Sequence, residues 1–334
     1  MLRARDRWQV WLKVALGIGL LLLAFRAGLQ TDTLRSALLS VHPGWALAAL
    51  ALVVLGALGK AARWALLLSG VSPGLEPQRA LGPLLTGQAF NMIAWVRMGD
   101  LVRVWLLSSQ MTLSMPAVAA TLVVENVFDL IAYGSLALLL SANLVAIPSA
   151  AARLPLMMAV ALVGAVALAL LVYRGEWVVN LIGQRLTASR LYRVEEWLHS
   201  VVTALQPLKQ GRRFWPILLL TIFIWASAWL TNLWLFNAFS LPLPPAAGLL
   251  VLVLIIIGVS PGLMPTNIGP FYFLTVLALQ QYAVNSGVAL AYAALLHALV
   301  TSVPLIGAAI HLADQWRRSG QRPRLTPPLS WNKP

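Results

Sequence analysis

Cysteine is absent from all 334 residues, which excludes disulfides, thiolate chemistry and cysteine-ligated metals. Charge is also scarce. Only 10% of residues are charged, against about 25% in a soluble domain. Acidic residues number 10 against 24 lysines and arginines, a net charge of +14. The 4 histidines (His42, His199, His297 and His311) are scattered without metal-ligand spacing, so neither a metal nor another cofactor is expected. Ten-residue segments of alternating hydrophobicity are missing as well, which argues against a transmembrane barrel.

What is present is apolar sequence. Hydrophobic residues make up 60% of the chain and the mean hydropathy is +0.82. Several runs reach the roughly 20 residues that cross a hydrocarbon core. Backbone groups in lipid must be satisfied within their own segment, so the expected fold class is all-α, a polytopic membrane helical bundle. The basic residues fall in loops and at segment ends. Topology and anionic lipid headgroups therefore explain the positive charge better than nucleic acid, which is not an expected partner.

In chain order, the first span runs from about Trp11 to Leu29. Its start carries Arg3, Arg5, Arg7 and Lys13 and has no small-residue cleavage site after it, so it reads as an uncleaved helix with a cytoplasmic N-terminus in the inner membrane. A short outer loop holds Asp32, Arg35 and His42. The second span is Trp45 to about Leu68. Lys60, Arg63 and Trp64 near its end fit snorkelling at the cytoplasmic interface, or alternatively extend a basic lining around Arg97. Leu81–Leu107 is punctuated by Pro83, Gly87 and Gly99 and reads as a broken or re-entrant hairpin. Pro116–Leu140 and Leu154–Tyr173 are spans. Residues 174–213 form a cytoplasmic amphipathic insertion. Trp215–Phe239 spans outward, and Pro242, Pro244 and Pro245 make a stiff turn. Ala246–Gly258 and Phe271–Tyr282 are too short to cross alone and flank a Pro/Gly-dense break. Gly287–Leu312 is the last span. Residues 1–313 thus form one domain, followed by a basic, Pro-rich tail over 314–334 that is expected to be disordered and cytoplasmic. About six full spans plus two re-entrant or broken hairpins, related as an inverted pair, satisfy every charge constraint.

Three clusters could carry chemistry. Arg97, Asp100 and Arg103 sit in an apolar segment, where each charge costs at least about 2.5–3.5 kcal/mol on insertion scales. Helical spacing puts them on one face, with Asp100 orienting two guanidiniums that suit a phosphate. Glu125 and Asp129 lie at i, i+4 inside a span, either as counter-ions for Arg97 and Arg103 or as proton-coupling groups. The third cluster includes Pro265, Asn267 and Gly269, where freed backbone donors could line a cavity and cap an anion.

At these three places the chain resembles the transmembrane region of lysylphosphatidylglycerol synthases, the flippase-like membrane family. The family pattern is an Asn, then a Pro, then Arg-x-Gly-(Glu/Asp)-x-x-Arg. Asn91, Arg97, Gly99, Asp100 and Arg103 match it, and Trp95 stands where the proline is usual. A Glu-Arg-x-x-Asp motif corresponds to Glu125-Asn-Val-Phe-Asp129. The late Pro/Gly break corresponds to Pro265 through Gly269, with Tyr272 near the position of an expected acid. The resemblance implies a lipid flippase-like protein without the aminoacyl-transfer domain, handling an aminoacyl-phospholipid or a polyprenyl-phosphate-linked glycolipid. The anionic membrane lipid is then the expected partner, with a lipid-modifying enzyme or glycosyltransferase as a further one. Two readings from other classes stand beside it: a membrane-embedded glycosyltransferase or other envelope-lipid enzyme, and a non-transporting lipid-binding subunit of an envelope biosynthesis complex.

Overall fold

A computed structural model describes residues 31–93, 98–143, 211–259 and 268–319, together with the isolated positions 19, 163, 174 and 177. The first span, the Leu154–Tyr173 span, nearly all of the 174–213 insertion and the end of the tail lie outside these residues. Every regular element among the described residues is a helix. In order they are α1 (Thr31–Leu39), α2 (Pro43–Leu68), α3 (Pro77–Ile93), α4 (Gly99–Met111), α5 (Met115–Asn143), α6 (Gly211–Ala238), α7 (Pro245–Val259), α8 (Ile268–Gln280) and α9 (Ser286–Ser319).

By length and composition α2, α5, α6 and α9 can each cross a membrane. At about 1.5 Å per residue, the 26 residues of α2 rise past the roughly 30 Å of hydrocarbon. Its Ala- and Leu-rich interior favours helix, and a proline at the first turn fixes the entry. The helices α3 and α4, with 17 and 13 residues, and α7 and α8, with 15 and 13, are each too short to cross upright.

These short helices form two hairpins that enter the bundle from opposite ends. In the first, Arg79 reaches Met111, Gly87 packs on Arg103, and Asn91 bonds Gly99. The partners run in opposite directions along α3 and α4, so the hairpin begins and ends at one face. The same face holds the end of α2, where Ser69 accepts a hydrogen bond from Arg213 of α6, and the end of α9, where His311 meets Gln110. At the opposite face the His42 amide bonds the Ala238 carbonyl, and Gly287 packs against Thr33. The second hairpin starts and ends there. Left-handed residues close three of these helices: Thr112 after α4, Ser240 after α6 and Ala283 after α8.

Two boundaries differ from expectation. The stretch expected as an outer loop is the helix α1. The helix α9 also continues through Asp314–Ser319, into the stretch assigned to the tail, where Arg318 and Asp314 pair at i, i+4. Both segments are short and polar, so hydropathy gives no sign of them, whereas their local pairing and packing stabilise helix.

Candidate functional site

The centre of the bundle holds a buried ion network. Arg63 on α2 is fully buried and grips Asp129 of α5 with both terminal nitrogens, at 2.7 and 3.0 Å. One of these nitrogens also reaches Glu125 at 3.3 Å, and the other reaches the Thr221 hydroxyl of α6 at 3.2 Å. Arg103 on α4 bonds the other side of Glu125 at 3.2 Å and pairs with Asp100 at 3.2 Å. Its guanidinium lies 5.3 Å from the centre of the Trp64 ring, a cation–π arrangement. The Trp64 indole donates to Thr121, and the Trp225 indole donates to Asp129. Helical spacing makes this possible. Glu125 and Asp129 at i, i+4 point one way from α5, and Arg63 and Trp64 meet them from α2.

Electrostatics explains why the network holds together. Two guanidiniums face the buried Glu125 and the part-buried Asp129, with the half-exposed Asp100 at the rim. An unpaired charge at this depth would cost several kcal/mol, whereas a hydrogen-bonded and balanced set offsets most of that. The expectation that Arg63 snorkels to an interface is thus corrected. Its counter-charges lie inside the protein, on α5, and the first hairpin covers this end of α2. Glu125 pairs with Arg63 and Arg103, and Asp129 with Arg63; of the two expected partners of these acids, Arg103 meets Glu125 and Arg97 lies outside the described residues.

The network anchors the first hairpin. The amide of Gly99 donates to the Asn91 side chain at 2.7 Å, so a residue on α3 caps the start of α4. A Cβ on Gly99 would collide with the Gly87 carbonyl and with Asn91, and a Cβ on Gly87 would strike Gly99 and Arg103. Glycine is required at both positions because two backbones touch there. Arg103 continues from this contact into the ion network.

Beside the network lies a cavity of about 350 Å³, walled by α2, α3, α5, α6, α7, α8 and α9. Both hairpins therefore contribute to it. Lys60, one turn before Arg63, lines it and forms no ion pair among the described residues. Of the charges around Lys60, Asp129 attracts it most. The expectation that Lys60 marks an interface is also corrected, because it borders an internal hollow. Gln88 of α3 faces the same space, as do Tyr133 and Trp225, which stack edge-on at 4.7 Å.

The expected site residues are placed as follows. Asn91, Gly99, Asp100 and Arg103 come together at the first hairpin, joined there by Glu125, Asp129 and Arg63. Arg97, Pro265 and Asn267 lie outside the described residues. Gly269 is buried at the start of α8. Tyr272 packs against Phe271 and, at 5.5 Å, against His297 of α9. Among the described residues no group of His, Asp and Glu could hold a metal ion. Sequence reading missed Thr121, Thr221, Trp225 and Gln88, and it put Trp64 at an interface, whereas the ring is fully buried against Arg103. One signal was available: Gly56, Gly59, Lys60 and Arg63 form one helical stripe. Small residues mark the face that meets other helices rather than lipid.

No curated protein matches the chain. A family model described as the lysylphosphatidylglycerol synthase TM region matches residues 10–308. That interval contains both hairpins, the whole ion network and the cavity, and the chain belongs to the lysylphosphatidylglycerol synthase TM region family.

Proposed function

We propose that this integral membrane protein of lipid biology is a translocase that takes an anionic lipid headgroup into the centre of the bundle and passes it between leaflets. The observation that carries this reading is the cavity, bounded by helices of both hairpins and bordered by Lys60, which forms no ion pair among the described residues. A headgroup there would exchange water for fixed polar groups, while its chains stay in lipid. Ligand sites at the meeting point of two interrupted helical hairpins are a recurrent transporter design. In this reading the ion network keeps the first hairpin in register. Asp100 orients Arg103, Arg97 adds positive charge, and Pro265, Asn267, Gly269 and Tyr272 contribute to headgroup binding. The end bearing Arg79, Arg213, Arg317 and Arg318 faces the cytoplasm of a plasma membrane by the positive-inside rule. A lipid-modifying enzyme of the cell envelope is then the natural supplier or consumer of the cargo.

The test is transfer of labelled phosphatidylglycerol between leaflets of proteoliposomes. Reconstituted protein should accelerate it. Ala57→Trp, which fills the cavity wall one turn from Lys60, and Arg97→Ala should each reduce the rate at least about tenfold. Transfer unchanged in both variants would remove this reading.

A further inference from the structure

The proposed function leaves two headgroup classes open: an aminoacylated phospholipid, which brings ammonium groups, and a phosphodiester lipid with an uncharged head. The cavity lining separates them. Lys60 is the one charged side chain among its described lining residues, and no carboxylate faces it. The nearest acids are committed elsewhere. Asp129 accepts from both terminal nitrogens of Arg63 and from Trp225, and Glu125 bridges Arg63 and Arg103. An ammonium entering this hollow would meet a like charge in a low-dielectric interior and no free acid.

A phosphodiester carries one negative charge, which one lysine can answer. Gln88 supplies the complement for the rest of a head. Its amide makes no hydrogen bond to the described residues and offers two donors and one acceptor from α3, across the cavity from α6. Most of the remaining wall is apolar, including Leu52, Ile255 and Val300. A volume of about 350 Å³ is at the small end of ligand cavities. It suits a headgroup and the first atoms of its chains, and not a whole lipid.

We propose that the cavity binds the headgroup of a monoanionic phosphodiester lipid bearing an uncharged, hydroxyl-rich head, with Lys60 on the phosphodiester and Gln88 on the head, and that it discriminates against cationic aminoacyl lipids. The proposal rests on the lipid-handling reading above. It deepens that reading by choosing between the two headgroup classes.

The experiment uses the full chain in nanodiscs of zwitterionic lipid. It measures binding of fluorescent phosphatidylglycerol, a polyprenyl phosphodiester of a single sugar, and lysylphosphatidylglycerol. The first two should bind at least about tenfold tighter than the third. Lys60→Gln should weaken the anionic probes about tenfold or more, since a charge-assisted contact is lost. Lys60→Arg should keep binding within about threefold, because the charge is retained. Gln88→Leu should weaken the sugar phosphodiester several-fold, as one polar contact disappears. Lys60 takes part in no ion pair among the described residues, so Lys60→Gln should unfold at the wild-type temperature, which separates lost binding from lost structure.

Water-soluble glycerophosphoglycerol should compete far less well than the lipid that bears the same head, because it leaves the apolar wall unfilled. Equal competition would overturn the lipid part of the proposal. Lysylphosphatidylglycerol binding as tightly as the anionic probes, with Lys60→Gln unchanged, would overturn the charge selectivity and leave lipid handling standing. Failure of every lipid probe to bind the wild type would overturn both.

Discussion

The two hairpins solve one problem by different chemistry. Neither can cross a membrane upright, so both depend on their neighbours for position. The first is fixed by charge and by backbone contact. Arg103 ties α4 to α5 through Glu125, Arg63 ties α2 into the same network, and Gly87 and Gly99 lock the two arms. The second has no charged residue in either helix, PAAGLLVLVLIIIGV and IGPFYFLTVLALQ. It is held by Leu274 over Gly258 and by the rings of Phe271, Tyr272 and His297. Lipid tails are as apolar as leucine, so association in a bilayer gains little from hydrophobic burial and relies on packing. An ion-locked element has one register. The second hairpin has hydrogen bonds to neighbouring helices only at its outer end among the described residues, from Trp229 to the Pro245 carbonyl and from Gln280 to Ser286, and an element held otherwise by packing has neighbouring positions of similar energy. The difference leads us to expect that the first hairpin is the fixed wall of the cavity and the second the part that shifts.

The largest effect should come from breaking the lock. Arg63→Leu leaves the part-buried Asp129 with the Trp225 indole as its main partner and takes one arginine from the buried Glu125, and breaking a buried pair costs about 3–5 kcal/mol. Thermal unfolding in detergent should show the largest drop in Tm of any single change discussed here. The double variant Arg63→Leu/Asp129→Leu keeps charge balance, because Glu125 remains paired with Arg103. It should recover most of the loss. A double variant no better than the single one would mean that shape, not charge, fixes the first hairpin.

Backbone contact ranks next. Gly99→Val places side-chain atoms where the Gly87 carbonyl and Asn91 already sit, and overpacking of this kind costs about 1–3 kcal/mol. The measurement is Tm in detergent, and a wild-type value would mean that the two backbones separate at no cost. Arg103→Lys is milder. It keeps the positive charge but loses the planar fork shared between Glu125 and Asp100 and weakens the contact with Trp64, together worth about 1–2 kcal/mol. A Tm equal to wild type would show that Arg103 contributes charge alone.

The contrast between the hairpins also explains what could be read in the sequence. Apolar run lengths gave the long helices, and the Pro/Gly and charge interruptions gave both hairpins. Carboxylates at i, i+4 announced a buried charge cluster. The position of Arg63 was not legible, because five residues from the end of a span a basic side chain ordinarily reaches water. Only the fold shows that α3 and α4 cover that end and that α5 brings the acids to it. The polar helix α1 was missed for the complementary reason. Nine residues of mixed polarity carry no hydropathy signal, and tertiary contact of the kind Thr33 makes with Gly287 decides their conformation.

The smallest effect belongs to the second hairpin and sharpens the comparison most. The Tyr272 ring packs against Phe271 at 6.1 Å and His297 at 5.5 Å, while its hydroxyl makes no hydrogen bond to the described residues. Stability should therefore depend on the ring and not on the oxygen. Tyr272→Ala should lower stability by about 0.5–1.5 kcal/mol, the worth of aromatic pairing. Tyr272→Phe should leave Tm at the wild-type value. If the hydroxyl serves a headgroup as it passes the second hairpin, Tyr272→Phe should still slow lipid transfer in proteoliposomes with stability unchanged. A matching fall in Tm for the phenylalanine variant would instead place the oxygen in a structural bond. The second hairpin would then be as firmly registered as the first, and the assignment of one wall as fixed and the other as movable would fail.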